Sequence, residues 1–287
     1  MNQKRPMETS TIQPNLRDSI HWSCIIAHKE NTDQLEEALA AEGFEPVTQR
    51  LSHTEEEKRF ASIIRCFLNH KRAWERASEI PGLSLIVEAD FVPCRGFGSF
   101  TLPMPVSEMD RAMAWLYLCA GRFRRRIEGQ FFLGSSTAVV AYVVSPSAAR
   151  CLLEFAQQTF ATIDPRQWYG FDGAMSPFLD ERGVPMFLAF KNYGEHGGFM
   201  SPEHAQEGRT FRPHRAECLM GPLHFLPTYS RGRTGRFVAV RLFHKLKAVA
   251  KLAWGRTITR RALLELRSNA ERLELVLAGL RRLLTLY

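Results

Sequence analysis

Leu83-Ser84-Leu85-Ile86-Val87-Glu88-Ala89-Asp90 is a short apolar run that ends in two carboxylates two positions apart. A run of this length, bounded upstream by Pro81-Gly82, suits a strand buried inside a sheet. Ligands of open α/β sheets bind outside the carboxyl ends of the strands, which is where Glu88 and Asp90 fall. Carboxylates at this spacing suit Mg²⁺ or Mn²⁺, hard cations that take oxygen ligands and keep positions open for substrate phosphates. A charged strand end with solvated side chains is the other reading of the same two residues.

The flanking chain alternates in the same way. Residues 21–50 read as strand, helix, strand: Ser23-Cys24-Ile25-Ile26-Ala27 is apolar, Leu35, Ala38 and Leu39 fall at helical spacing, and Gly43 stands where a left-handed residue closes a helix. A long helix follows, with Ile63, Phe67, His70, Trp74 and Ala77 on its inward face. Further on, the pattern predicts a helix over 107–118, a solvated basic run at Arg122 to Arg126, and a strand over 137–144. Ser145-Pro146 then opens a helix, with Ser as the cap and Pro in the first turn. Residues 164–172 read as an aromatic loop, 178–182 as a helix end, 184–190 as a strand and 193–208 as a loop rich in Gly and His. Strands alternating with helices define an α/β fold.

The 287 residues carry a net charge of +8, unevenly spread. From position 231 to the end there are fourteen Lys/Arg and three Asp/Glu, so the preceding body is slightly acidic. That division argues against a nucleic-acid binder, as does the lack of aromatics interleaved on a basic surface. The expected organisation is a flexible N-terminus over 1–19, a catalytic body over 20–230 and a basic helical tail over 231–287. No secretory signal or membrane span is visible. The six scattered cysteines include no C-x-x-C pair and fit reduced thiols of a cytoplasmic protein.

Over 236–254 the tail has an apolar stripe (Ala239, Leu242, Phe243, Leu246, Val249, Ala250, Ala253) beside Arg241, Lys245, Lys247 and Lys251. Such a helix lies on anionic lipid or packs on the body. Leu263, Leu266, Ala270, Leu273, Leu277, Leu280, Leu284 and Tyr287 alternate by three and four, the seam of a helical pair and a route to a homo-oligomer.

The block from Ile64 to Trp74, followed after a gap by Leu85 to Asp90, resembles glycosyltransferase family 25. That family includes lipopolysaccharide and lipooligosaccharide sugar transferases and collagen galactosyltransferases. Cys66, His70 and Trp74 match its Gly-Cys-x-x-Ser-His helix and following Trp, and Glu88 and Asp90 match its Glu-Asp-Asp strand end. The segment from Ala141 to Leu153 resembles a second family block. Arg65, Asn69 and Ala89 depart from the pattern, and the resemblance spans roughly residues 20–200.

The resemblance implies a GT-A-like, Rossmann-like nucleotide-sugar-binding sheet. It implies transfer of a hexose from a donor that is typically UDP-linked, with inversion, to a saccharide or lipid-linked acceptor of surface polysaccharide synthesis. Asp90 and Glu88 would hold the divalent cation, and His196, within Tyr193-Gly194-Glu195-His196-Gly197-Gly198, is the candidate third ligand ahead of His204, His214 and His224. His28, Lys29 and His70 are candidate donor contacts. Asp172 is the candidate general base, with Asp164 as the alternative, and either also suits a turn or a cap. The expected place of work is the cytoplasm, peripheral to the inner membrane. A catalytically degenerate scaffold that oligomerises through its C-terminal helices is the competing reading, favoured by Ala89 and Asn69.

Overall fold

The computed structural model describes residues 13–50, 52–127, 131–199 and 214–284. Its strands are β1 (Ile20–Ala27), β2 (Pro46–Arg50), β3 (Leu83–Glu88), β4 (Phe91–Pro93), β5 (Met113–Trp115), β6 (Arg122–Ile127), β7 (Phe131–Ser135), β8 (Ala141–Val144), β9 (Met186–Ala189) and β10 (Gly194–His196). The helices are α1 (Leu16–Ser19), α2 (Asp33–Ala41), α3 (Ser62–Glu79), α4 (Pro146–Phe160), α5 (Phe171–Glu181), α6 (Thr234–Ala253), α7 (Arg260–Glu265) and α8 (Asn269–Leu283).

Eight strands form one mixed sheet in the order β2-β1-β3-β8-β5-β9-β7-β6, and β10 pairs separately with β4. The β1–β2, β1–β3 and β5–β9 pairs are parallel; β8 runs antiparallel between β3 and β5. The chain opens with a βαβ unit, and because β1 and β3 are parallel their carboxyl ends come out side by side.

Period-two alternation sorts the strands onto two apolar layers. Cys24, Ile26, Ile86, Tyr142 and Val144 face a core built with Phe67 and Trp74 of α3, Leu152 and Phe155 of α4, and Phe171 and Met175 of α5. Ile25, Leu85, Val87 and Val143 face a second core with Leu35, Leu39, Phe91, Phe97 and Tyr193. Gly43 closes α2 at φ 90°, a value that favours glycine.

Several expectations are corrected. The predicted helix over 107–118 is a short 3-10 turn followed by β5. Residues 112–118 are all buried, and a run apolar on every side belongs to a strand between two neighbours rather than to an amphipathic helix. Arg122 to Arg126 lie on an edge strand, where Arg124 pairs with Asp180 through two 2.7 Å bonds and Arg126 reaches Glu274 at 3.4 Å. The aromatic loop ends at Gly170, because α5 begins at Phe171, and β10 interrupts the expected 193–208 loop. Residues 15–19, assigned to a flexible segment, form α1 under an Asn15 cap, with Leu16 fully buried. His204 and Tyr287 lie outside the described residues.

The tail joins the body. Ile258, Leu266, Leu275 and Ala278 belong to the first core, and Thr257 accepts the backbone N–H of Phe123. Of the expected seam, Leu266 is buried, whereas Leu273, Leu277, Leu280 and Leu284 are exposed. No helix among the described residues is long and apolar enough to cross a membrane.

Candidate active site

Glu88 is the last residue of β3, opposite Ile26 of β1, and the backbone N–H of Ala89 donates to the Ile26 carbonyl. Glu88 and Asp90 therefore project from the sheet edge where β1 also ends. Ala89 packs against the core that holds Leu85 and Val87. A carboxylate there would have to be buried among apolar groups, so the departure from the family motif leaves the two outer carboxylates in place.

Behind Glu88 runs a line of hydrogen bonds. The Trp74 Nε1–H donates to the Tyr142 hydroxyl at 2.7 Å, Tyr142 Oη lies 3.0 Å from His70 Nδ1, and His70 Nε2 lies 3.3 Å from Glu88 Oε1. With the Tyr142 oxygen accepting from Trp74, its own proton goes to His70 Nδ1, and the ring proton sits on Nε2, aimed at Glu88. His70 is fully buried with both nitrogens engaged, so it positions Glu88. The Cys66 thiol lies 3.6 Å from the same carboxylate oxygen. Burial, reinforced by Glu88, pushes this thiol well above its ordinary range, which favours its protonated form.

In front of Glu88 stand Asp90 and His196. Asp90 Oδ2 lies 2.9 Å from His196 Nε2, and the other ring nitrogen of His196 faces the His214 carbonyl at 3.0 Å. Burial alone would raise the Asp90 carboxyl, but His196 and Arg215 outweigh it and hold Asp90 below the usual carboxylate range. Burial likewise disfavours the His196 imidazolium, yet Asp90 and Glu88 raise it to about 9. Ligand atoms of Glu88, Asp90 and His196 all lie within 4.8 Å of one another.

Asp90 Oδ1 is buried and has no hydrogen-bond partner among the described residues. An orphaned buried carboxylate oxygen is costly, and here it belongs to a set of two carboxylates and an imidazole. Such a set fits Mn²⁺ or Mg²⁺. The Nδ1–H···O=C contact of His196 is the kind that orients a metal-binding imidazole.

Glycines let the strands close on this point. A Cβ at Gly198 would stand 2.1 Å from Asp90 Oδ2, and one at Gly197 would stand 2.9 Å from the Asp90 carbonyl. Two residues not singled out in the sequence brace the same segment. Glu195, fully buried, accepts from the backbone N–H groups of His196 and Ala216 and from Arg241. Arg215 donates to the carbonyls of His196 and Gly198, and its guanidinium lies over the Tyr229 ring. Glu195 is legible only as the neighbour of His196, and Arg215 has no local signal at all.

The other expected residues are placed as follows. Asp172 sits in the first turn of α5 and accepts from the Gly173 N–H. Burial raises its carboxyl above the ordinary range, and Glu88 adds to the rise, which puts Asp172 within electrostatic reach of the cluster. Asp164 is exposed, and its oxygens are taken by the Arg166 N–H and by Gln167. His28 and Lys29 are exposed just past β1, at the sheet edge that carries Glu88. His224 is paired with Glu42 at 2.6 Å.

No family model matches the chain, and no curated protein matches it. Among solved structures, it is similar to a glycosyltransferase involved in the glycosylation of the major capsid of PBCV-1. The identity is 11%, the match covers 58% of this chain and 80% of that one, and the TM-score is 0.35. A likeness this slight carries no weight for the activity.

Proposed function

We propose that the protein is a glycosyltransferase of the family 25 kind. It would move a hexose from a UDP-linked donor, with inversion, to a saccharide or lipid-linked acceptor in lipopolysaccharide or surface polysaccharide synthesis. The observation that carries the reading is the orphaned Asp90 Oδ1, set between Glu88 and His196 at the carboxyl end of β3.

In this reading Glu88, Asp90 and His196 would hold a divalent cation, and such an ion would supply Lewis acidity toward a diphosphate leaving group. Trp74, Tyr142 and His70 fix the direction of the Glu88 carboxylate from behind. His28 and Lys29 reach the nucleotide from the neighbouring strand end. Trp168, partly exposed before α5, offers a ring face to a sugar. Asp172 accepts the proton of the acceptor hydroxyl as its oxygen forms the new glycosidic bond. A carboxyl raised by burial is the better base for that transfer.

The test is UDP release from a panel of UDP-hexoses with Mn²⁺ and a truncated lipopolysaccharide acceptor. The expected result is turnover by the wild type and a loss of about 100-fold or more in Asp172→Asn. No UDP release from any donor, together with no UDP binding, would replace the transferase reading with that of a scaffold.

A further inference from the structure

Helix α6 is folded with its polar side inward. Phe237, Arg241, His244, Ala248 and Lys251 recur at spacings of four and three on the face toward the body, all buried or partly buried. Arg241 reaches Glu195 at 3.1 Å and the Ala216 carbonyl, and Lys251 reaches Glu217 at 2.8 Å. The opposite face carries Val238, Leu242, Leu246 and Val249, with Phe243 beside them, and these five are 49–63% exposed. Trp254, the residue after the helix, is 76% exposed. Contiguous exposed apolar side chains of this size mark an interaction surface.

Charge selects the partner. Lys245 flanks the stripe on one side, and Arg236 and Lys247 flank it on the other, as helical spacing requires. A cavity of about 120 Å³ beside Phe243 is lined by Arg215, Glu217, Lys247 and Lys251, of which Lys251 is paired with Glu217. Within it His244 is held down to about 4, by burial first and then by Lys247, Arg215 and Arg241. A second copy meeting this face across a two-fold axis would set Arg236 and Lys247, exposed beside the stripe, against themselves. An anionic surface would neutralise them.

We propose that α6 docks this protein on an anionic lipid bilayer, with Leu242, Leu246 and Val249 in the acyl boundary and Lys245, Lys247 and Arg236 at the headgroups. A long basic helix with one apolar face lies in the interface in this way, and an exposed Trp at its end suits the headgroup level. The docking needs neither sugar nucleotide nor cation, so it stands or falls apart from the transferase reading.

The experiment is co-sedimentation of the full chain with vesicles of phosphatidylcholine alone and of phosphatidylcholine with 30% phosphatidylglycerol, without donor or metal. The mixed vesicles should bind the protein and shift its Trp emission to the blue, an effect lost in Trp254→Phe. Neutral vesicles should bind far less. Lys245→Gln with Lys247→Gln should weaken binding by about 25-fold, since each cation near the surface contributes about fivefold. Leu242→Ser with Leu246→Ser should abolish it, with the thermal melt and far-UV spectrum confirming that these surface changes leave the fold intact. Equal sedimentation with neutral and anionic vesicles, or none with either, would overturn the proposal. So would a dimer in solution that Leu242→Ser with Leu246→Ser makes monomeric while vesicle binding is absent.

Discussion

Two buried acid–base clusters in this chain use the same residue types to opposite ends. Glu217 has one oxygen bonded to Lys251 at 2.8 Å and the other to Arg282 at 3.1 Å, and the Arg282 guanidinium lies over Phe123. Asp90 has one oxygen bonded to His196 and the other buried with no partner among the described residues. Both oxygens of Glu217 are taken, and its pairs staple α6 and α8 to the segment before them. The second cluster keeps capacity for a ligand. On the proposed reading, having both oxygens bonded separates the structural carboxylate of Glu217 from the ion-binding carboxylate of Asp90, and burial alone does not.

The largest expected effect comes from removing Glu217. Glu217→Ala leaves Arg282, which is 2% exposed, without its counter-charge, and should cost about 3–5 kcal/mol in denaturant unfolding. The pH dependence of stability has a defined sign here. Burial alone would raise the Glu217 carboxyl, but Arg282 and Lys251 outweigh it and hold it below the ordinary range. Its stabilisation is therefore complete above the unfolded value of about 4.3 and fades as pH falls through the lower folded value. Glu217→Gln should flatten that acid limb of the stability curve. An unchanged limb would mean that the cluster does not hold the tail.

Gly198→Ala tests the open cluster by geometry. The new methyl would lie against Asp90 Oδ2 and should weaken Mn²⁺ binding by about 100-fold, or about 2.7 kcal/mol, while leaving the unfolding midpoint nearly in place. Tyr142→Phe sits between the two effects. It strips the Trp74 N–H and His70 Nδ1 of their shared partner, at a cost of about 1–3 kcal/mol in unfolding, and it should loosen Glu88. Arg124→Ala is the smallest. The Arg124–Asp180 pair is bidentate but 38% and 46% exposed, so its loss should cost under about 1 kcal/mol, seen as a slight fall in the midpoint.

The parts that were legible in the sequence are those set by local periodicity. The apolar run into Glu88, the α3 face with Phe67, His70 and Trp74, the Ser145-Pro146 helix start and the Gly43 closure all follow from short-range pattern and stand in the structure. β5 was illegible because Met113-Ala114-Trp115 gains its strand character from two neighbouring strands distant in sequence. His196 was singled out through its glycines, whose need for close approach is a local signal, and it stands 2.9 Å from Asp90. Glu195, Arg215 and the Glu217–Arg282 staple depend on chain segments meeting in space, and no spacing announces them. The inward-facing cations of α6 show the same limit. The stripe was readable as amphipathic, but which side faces the body is decided by Glu195 and Glu217.

The central claim is that Asp90 holds an open coordination position for a cation shared with a nucleotide diphosphate. Titration calorimetry of UDP, with and without Mn²⁺, on the wild type and on Asp90→Ala tests it most directly. Binding that requires Mn²⁺ and disappears in Asp90→Ala, with the thermal midpoint retained, is the expected result. Equal UDP affinity with and without the metal, or in both proteins, would contradict it.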